Sequence, residues 1–535
     1  MSTSGDLAEL IAAARAWTAQ DPDPATRAEL TALADRATTD DAAATELADR
    51  FAGRLEFGTA GLRGALGAGP NRMNRVVVTQ AAAGLAAYLR EHPVGGPAGV
   101  VIGYDARHNS DAFARDTAEI MRGAGIPAYV LPRPLPTPVL AYAIRPLRCA
   151  AGVMVTASHN PPQDNGYKVY LGDGSQIAPP ADADIAKAID SVGPIAELPR
   201  GTDYSVLDES VVDDYVAAVT ALPRADSPRD IAFAYTPLHG VGASVVRAVL
   251  DRTGFGARHE TAEQIEPDPE FSTVAFPNPE EPGAMDLALA TASRTGAELV
   301  IANDPDADRL AAAVPTVQGW RLLRGDEVGA LLADHALRRG VTGTYATTIV
   351  SSSLLGRMAS AHEQPYVETL TGFKWISRVD GLVFGYEEAL GYCLAPEIAR
   401  DKDGISALVR LLELAAELKA AGRTLVDRLD EIAERYGLHA TDQLSIRVAD
   451  LTLIVDAMAR LRAEPPATLG GLPVDTVDDL AAGSATLPPT DGLRFRMAEG
   501  ARVVVPVTDG VDAARIAAVG RLDAIRSDLA AALGL

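Results

Sequence analysis

ELVIANDPDADR, residues 298–309, passes from an apolar run into a polar turn carrying Asp304, Asp306 and Asp308. The same form recurs along the chain. VVIGYD (100–105) precedes SDAFARDTAEIMRGAG, GVMVTASHN (152–160) runs into PPQDNGYKVY, and IAFAYTPLHG (231–240) precedes ASVVRAVLDRTG. TTIVSSS (347–353) and LVFGYEEALGY (382–392) repeat it. Short β-prone runs that end in Gly- or Pro-bearing loops, with helical periods between them, predict an α/β fold with largely parallel strands. Sheets of this kind bind ligands beyond the carboxyl ends of their strands, and the unusual polar clusters of this chain fall there.

The bulk composition narrows the function. The chain has 535 residues, enough for three or four domains at roughly 100–200 residues each. Hydrophobic residues make up 47% and charged residues 22%, so each domain can bury a core. A net charge of −24 argues against nucleic acid and anionic membrane as partners, and an anionic substrate then needs a local basic pocket. Cys149 and Cys393 lack the spacing of a disulfide framework or zinc site. The acid-bearing N-terminus reads as an amphipathic helix, not a signal peptide, and no run is long and apolar enough to span a membrane. The expectation is a cytoplasmic protein, with no protein partner predicted. Soft boundaries near 222–229 (LPRADSPR) and 316–325 (TVQGWRLLRG), and a helical run at 405–422, suggest domains 1–222, 223–320, 321–437 and 438–535. The last would hold strands and turns and end in a helix over 511–533.

Three aspartates alternating in NDPDADR repel one another unless a cation sits among them. An EF-hand loop would want Gly at its sixth position and Glu at its twelfth, where this chain has Arg309 and Pro315. Hard oxygen ligands with open positions suit Mg²⁺; the ordinary alternative is an acidic helix cap. Ser158, in TASHNP, has no nucleophile-elbow glycines, and its neighbour His159 is poorly placed in sequence to act as its base. It is either a turn residue or a phosphoryl carrier, and a nearby Mg²⁺ loop favours the carrier. The chain has five lysines, of which Lys168 (NGYKVY), Lys374 (TLTGFKWISR) and Lys402 (ARDKDG) fall in unusual loops. Glu387 and Glu388 in GYEEALGY can do acid/base work, accept hydrogen bonds from sugar hydroxyls, or form a solvated helix start. Arg63 closes a Gly-bearing stretch, LEFGTAGLRG.

Taken together and in this order, FGTAGLRG, TASHNP with NGYK, DPDADR, TGFKW and GYEEALGY resemble the α-D-phosphohexomutase superfamily, over about residues 50–500. TLTGFKWI and GYEEALGY are similar to its long phosphoglucomutase and phosphopentomutase branch. The resemblance implies four domains around a central cleft, three related α/β mixed-sheet units and a smaller α+β C-terminal domain. It implies phosphoserine at Ser158, and Mg²⁺ held by Ser158, Asp304, Asp306 and Asp308. Arg63 and Lys168 would assist proton movement and stabilise charge, with His159 and Arg309 lining the same site. Glu387 and Glu388 would hold sugar hydroxyls, Lys374 and Lys402 would meet the substrate, and Thr59 and Thr371 match further contact positions. The implied reaction interconverts glucose 1-phosphate and glucose 6-phosphate, with glucose 1,6-bisphosphate as intermediate and activator. Phosphomannomutase and phosphopentomutase activity, a decayed mutase that only binds phosphosugars, and a Mg²⁺ phosphatase are the other readings.

Two features depart from the family pattern. Ala389 stands after the glutamate pair where many members carry Ser. The phosphate-binding loop of the family's last domain, of the form RPSGTEPK, is not found: ARVVV (501–505) runs directly into PVTDG. Its loss would leave the distal phosphate without a clamp, with weak activity or none as the expectation.

Overall fold

Strands Ala151–Val155 and Leu299–Asn303 are buried at every position, which is why they read as continuous apolar runs rather than alternating ones. Each lies inside a mixed sheet. The first sheet orders Leu62–Ala65, Asp164–Leu171, Ala151–Val155, Val100–Tyr104, Ala128–Val130 and Ser205–Val206. The last four are mutually parallel, while Asp164–Leu171 returns antiparallel and pairs with Leu62–Ala65. The second sheet orders Gly319–Leu322, Leu310–Thr316, Leu299–Asn303, Phe233–Thr236 and Arg258–Glu260, again with an antiparallel arm at Leu310–Thr316. The α/β expectation holds, with hairpins where parallel strands were expected.

This computed structural model describes residues 4–93, 98–445, 452–484, 486–506, 513–517 and 522–533. The chain divides into two units, Met1–Arg321 with Glu397–Glu413, and Leu322–Pro396 with Leu414–Leu535. The first holds the two sheets above. Its core joins strand residues such as Ile102, Val153 and Tyr167 to Val76 and Leu85 of helix Arg75–Glu91 and Phe113 of helix Ser110–Gly123. Trp17, Leu30 and Leu47 of the three N-terminal helices join the same core. Those helices begin where the sequence supplies caps: Asp23 before Pro24, and Asp40 before Asp41.

The second unit holds a sheet ordered Tyr366–Thr369, Thr344–Thr348, Leu382–Glu387 and Gly391–Cys393. It also holds a C-terminal sheet ordered Thr441–Ser445, Ala513–Ala517, Arg502–Pro506, Gly492–Met497, Leu472–Asp479 and Thr468–Leu469. Phe495, Val503, Ile525 and Leu529 share the C-terminal core.

Two sequence expectations change. The helix expected over 511–533 is a strand at Ala513–Ala517 and a helix only at Leu522–Leu533. Alanine-rich propensity yields here to pairing on both sides, with Thr441–Ser445 and Arg502–Pro506. Lys168 sits on strand Asp164–Leu171, not in a loop. Asn165 turns its amide to His108 O and Ser110 Oγ at 2.9 and 3.0 Å, so its Asn-Gly pair carries a strand instead of a turn. The junction that lacks the phosphate loop, between ARVVV (501–505) and PVTDG (506–510), passes beyond the described residues after Pro506; strands Arg502–Pro506 and Ala513–Ala517 on its two sides pair antiparallel.

Candidate active site

The loop after strand Ala151–Val155 and the loop after strand Leu299–Asn303 meet at Ser158 and Asp304, both in the first unit. Ser158 has φ 51°, the left-handed region that a non-glycine residue adopts only where its surroundings impose it. The Thr156 hydroxyl accepts its backbone N–H at 2.9 Å. Its Oγ donates to Asp304 Oδ2 at 2.8 Å and lies 3.1 Å from His159 Nδ1. The side chain that sequence left open between turn residue and carrier is thus buried and aimed at the first aspartate.

The Asp loop is held from two sides. A Cβ on Gly240 would meet Pro305 Cα and O at 2.3 Å, and one on Gly404 would meet Arg309 O at 2.2 Å, so both approaches need glycine. Asp304 Oδ1 accepts from Arg309 N at 3.0 Å. Asp306 Oδ2 accepts from Lys168 Nζ and from Thr137 Oγ1, each at 2.7 Å. Asp308 Oδ2 accepts from Lys168 Nζ at 3.0 Å and lies 3.4 Å from Lys402 Nζ. Asp306 Oδ1 and Asp308 Oδ1 are buried and have no hydrogen-bond partner.

The electrostatics are unbalanced in a way that points to a cation. Burial, and then the charges of Asp306 and Asp308, push the Asp304 carboxyl well above the usual carboxylate range. Burial opposes ionisation of Asp306 and Asp308 too, but Lys168 with a hydrogen bond to Asp304 holds the first low, and the charges of Lys168, Lys402 and Arg309 hold the second low. Burial likewise opposes the Lys168 ammonium, and Asp306 and Asp308 hold it charged. Carboxylate oxygens of the three aspartates lie within 4.8 Å of one another. Three hard oxygen donors, two of them without a hydrogen-bond partner, fit a Mg²⁺ ion.

The remaining expected residues divide between the units. Arg63, on strand Leu62–Ala65, donates to Asn160 Oδ1 at 3.2 Å and so reaches the Ser158 loop. Burial and the nearby charges of Arg309 and Arg63 hold the His159 imidazole well below its ordinary pKa, although 22% of its side chain stays exposed. Lys402 is buried beside Asp401, whose Oδ2 accepts from Tyr170 Oη and Gln176 Nε2 at 2.7 Å each. Thr59 lies in the turn closed by mutual hydrogen bonds between Gly58 and Gly61. Thr371, Lys374, Glu387 and Glu388 belong to the second unit. There Glu388 Oε2 accepts from Thr348 Oγ1 at 2.9 Å and Ser351 Oγ at 2.5 Å, and Lys374 sits in the one-turn helix Phe373–Ile376.

Two residues escaped the sequence reading. Thr137, in RPLPTPVLAY, donates its backbone N–H to Asp306 O at 2.9 Å besides its hydroxyl contact. Arg107, after VVIGYD, reaches the backbone of the Ser158 loop. An isolated Thr at a helix start, or an Arg in a loop, carries no local signal of a contact this distant in sequence.

Comparison with known proteins identifies the family. The chain matches the phosphoglucomutase/phosphomannomutase α/β/α domains I, II and III at residues 54–194, 213–319 and 324–436. A probable phosphomannomutase of Haemophilus influenzae is 50% identical over 441 residues, 81% of this chain and 90% of that one. A probable phosphoribomutase of Schizosaccharomyces pombe is 37% identical over 86% of this chain and 85% of that one. The crystal structure of a phosphoglucomutase/phosphomannomutase family protein from Burkholderia thailandensis shares the fold, with TM-score 0.70 at 21% identity over 89% of this chain and 97% of that one. With three family domains in order and 50% identity to one relative over 81% of its length, the chain belongs to the phosphoglucomutase/phosphomannomutase family of phosphohexomutases, isomerases that transfer a phosphoryl group within a sugar phosphate.

Proposed function

We propose that this mutase interconverts glucose 1-phosphate and glucose 6-phosphate, with Ser158 as the phosphoryl carrier and glucose 1,6-bisphosphate as intermediate and activator. The observation that carries the reading is the Ser158 hydroxyl set 2.8 Å from Asp304 Oδ2, beside two aspartate oxygens that have no hydrogen-bond partner. Phosphoserine 158 donates its phosphoryl group to the free hydroxyl of the sugar monophosphate. The Oγ–P bond breaks, the new O–P bond forms, and the proton of the sugar hydroxyl passes to Ser158 Oγ. The bisphosphate turns over, and its other phosphate returns to Ser158 by the reverse step.

Asp304, Asp306, Asp308 and a Ser158 oxygen would hold Mg²⁺, which supplies positive charge to the transferring group. Lys168 and Arg63 are cations close to the same atoms, which suits them to stabilise the equatorial oxygens. A charged Lys168 fits that role better than proton acceptance. His159, against Ser158 Oγ, is placed to share the hydroxyl proton. Glu387, Glu388, Lys374, Thr59, Thr371 and Lys402 are the proposed sugar and phosphate contacts.

A mannose substrate is the second reading, favoured by the 50% identical phosphomannomutase relative. A coupled assay on glucose, mannose and ribose 1-phosphates, with Mg²⁺ and the matching bisphosphate, separates the readings. Glucose 1-phosphate should give the highest kcat/KM; a higher value on mannose or ribose 1-phosphate contradicts the glucose assignment. Release of inorganic phosphate without isomerised sugar would make the chain a phosphatase instead.

A further inference from the structure

Arg107 sits three residues beyond the end of strand Val100–Tyr104, in the loop that leads to helix Ser110–Gly123, and is 4% exposed. Its guanidinium is surrounded by main-chain carbonyls of one loop. Nη2 donates to Ser158 O at 2.7 Å and Asn160 O at 2.5 Å. Nη1 donates to Pro161 O at 2.8 Å and Asp164 O at 3.1 Å. These four carbonyls span the segment that presents the Ser158 hydroxyl. The guanidinium is itself fixed. Asp105 Oδ2 lies 3.4 Å from Nε, and Asp105 Oδ1 accepts the Arg107 backbone N–H at 3.0 Å and the Ser110 hydroxyl at 2.7 Å. The Phe271 ring covers it, with 4.7 Å from Cζ to the ring centroid.

We propose that Arg107 is a positioning residue for phosphoryl transfer, holding the Ser158 loop in its left-handed turn so that Oγ stays on Asp304. The inference rests on Ser158 being the phosphoryl carrier. Four carbonyls converging on one side chain need donors that diverge in a plane. A guanidinium offers five N–H groups in a rigid fork, whereas a lysine ammonium offers three from a single point. Without the fork the carbonyls lose their shared anchor, and a residue at φ 51° can relax toward the commoner right-handed region. Oγ would then leave its place beside Asp304. A displacement of about 1 Å at a reacting atom costs on the order of 10²-fold in rate. Arg107 makes none of the contacts proposed for the sugar, so the loss should fall on kcat and leave KM unchanged.

The test compares wild type with Arg107→Lys, Arg107→Ala and Phe271→Leu, each charged with phosphate from glucose 1,6-bisphosphate and checked by intact mass and thermal melting. The inference expects kcat per phosphorylated chain to fall on the order of 10²-fold in Arg107→Ala and about 10-fold in Arg107→Lys, with KM for glucose 1-phosphate within about twofold of wild type. It expects Phe271→Leu to lose kcat by a few-fold in the same sense, and this variant and Arg107→Lys carry the test if the alanine form does not fold. It also expects faster leakage of inorganic phosphate from the variant phosphoenzymes, and a shifted phosphoserine ³¹P resonance, neither of which a loss of stability alone would produce. Lower melting temperatures with kcat per phosphorylated chain, leakage and resonance all at wild-type values would overturn the positioning role. A wild-type chain that takes no phosphate on Ser158 would overturn the carrier reading, and the inference with it.

Discussion

Two buried acidic sites in this mutase are finished to different degrees. In the first unit, Asp306 and Asp308 each have one oxygen bound to Lys168 and the other without a hydrogen-bond partner. In the second unit, Glu388 has one oxygen bound by two hydroxyls, those of Thr348 and Ser351. A buried carboxylate oxygen without a donor is costly, so the first pattern describes a site completed by something outside the chain. The second describes a carboxylate whose direction the chain itself fixes. The contrast separates the proposed cation site from the proposed sugar-orienting one, and substitutions can break it from either end.

The largest effect should come from Ser158→Ala, which removes the carrier. Mutase turnover should fall by at least about 10⁴-fold in the coupled assay, with melting temperature close to wild type. Asp306→Asn keeps the shape but removes a charge from the unfinished site. It should lower kcat by about 10²–10³-fold and raise the Mg²⁺ concentration for half-activation, read from a metal titration. Thr137→Val leaves all three aspartates in place and removes only the hydroxyl that turns Asp306. Metal affinity measured by calorimetry should weaken by about 10–100-fold. The smallest effect belongs to the finished site: Ser351→Ala removes one of the two hydroxyls bound to Glu388 Oε2. It should cost about 1–3 kcal/mol in denaturant unfolding and raise KM for the sugar phosphate, while the metal titration stays at wild type. A shift in Mg²⁺ dependence there would erase the distinction between the two sites.

The sequence disclosed the parts of the site that carry their own chemistry. ELVIA followed by three alternating aspartates is locally anomalous, as is TASHNP after an apolar run, and both proved to be strand-end loops that meet at Ser158 and Asp304. Lys168 was visible as a rare lysine, but its strand was hidden by an Asn-Gly pair that reads as a turn. Arg107 and Thr137 were invisible because their partners lie 51–57 and 169 residues away. No local periodicity encodes such contacts; they exist only once the sheets have formed. The strand at Ala513–Ala517 was missed for a related reason, since partners on both sides override the helical preference of an alanine-rich segment.

The most direct test of the central claim is to follow phosphate on the intact protein. Chain incubated with glucose 1,6-bisphosphate and Mg²⁺, then analysed by intact mass and peptide mapping, should carry one phosphoryl group, on Ser158. That group should discharge into added glucose 1-phosphate, and EDTA should stop the discharge. Phosphate on another residue, no phosphate at all, or discharge that proceeds undiminished in EDTA would contradict a Mg²⁺-dependent phosphoserine mechanism built on Ser158 and the three aspartates.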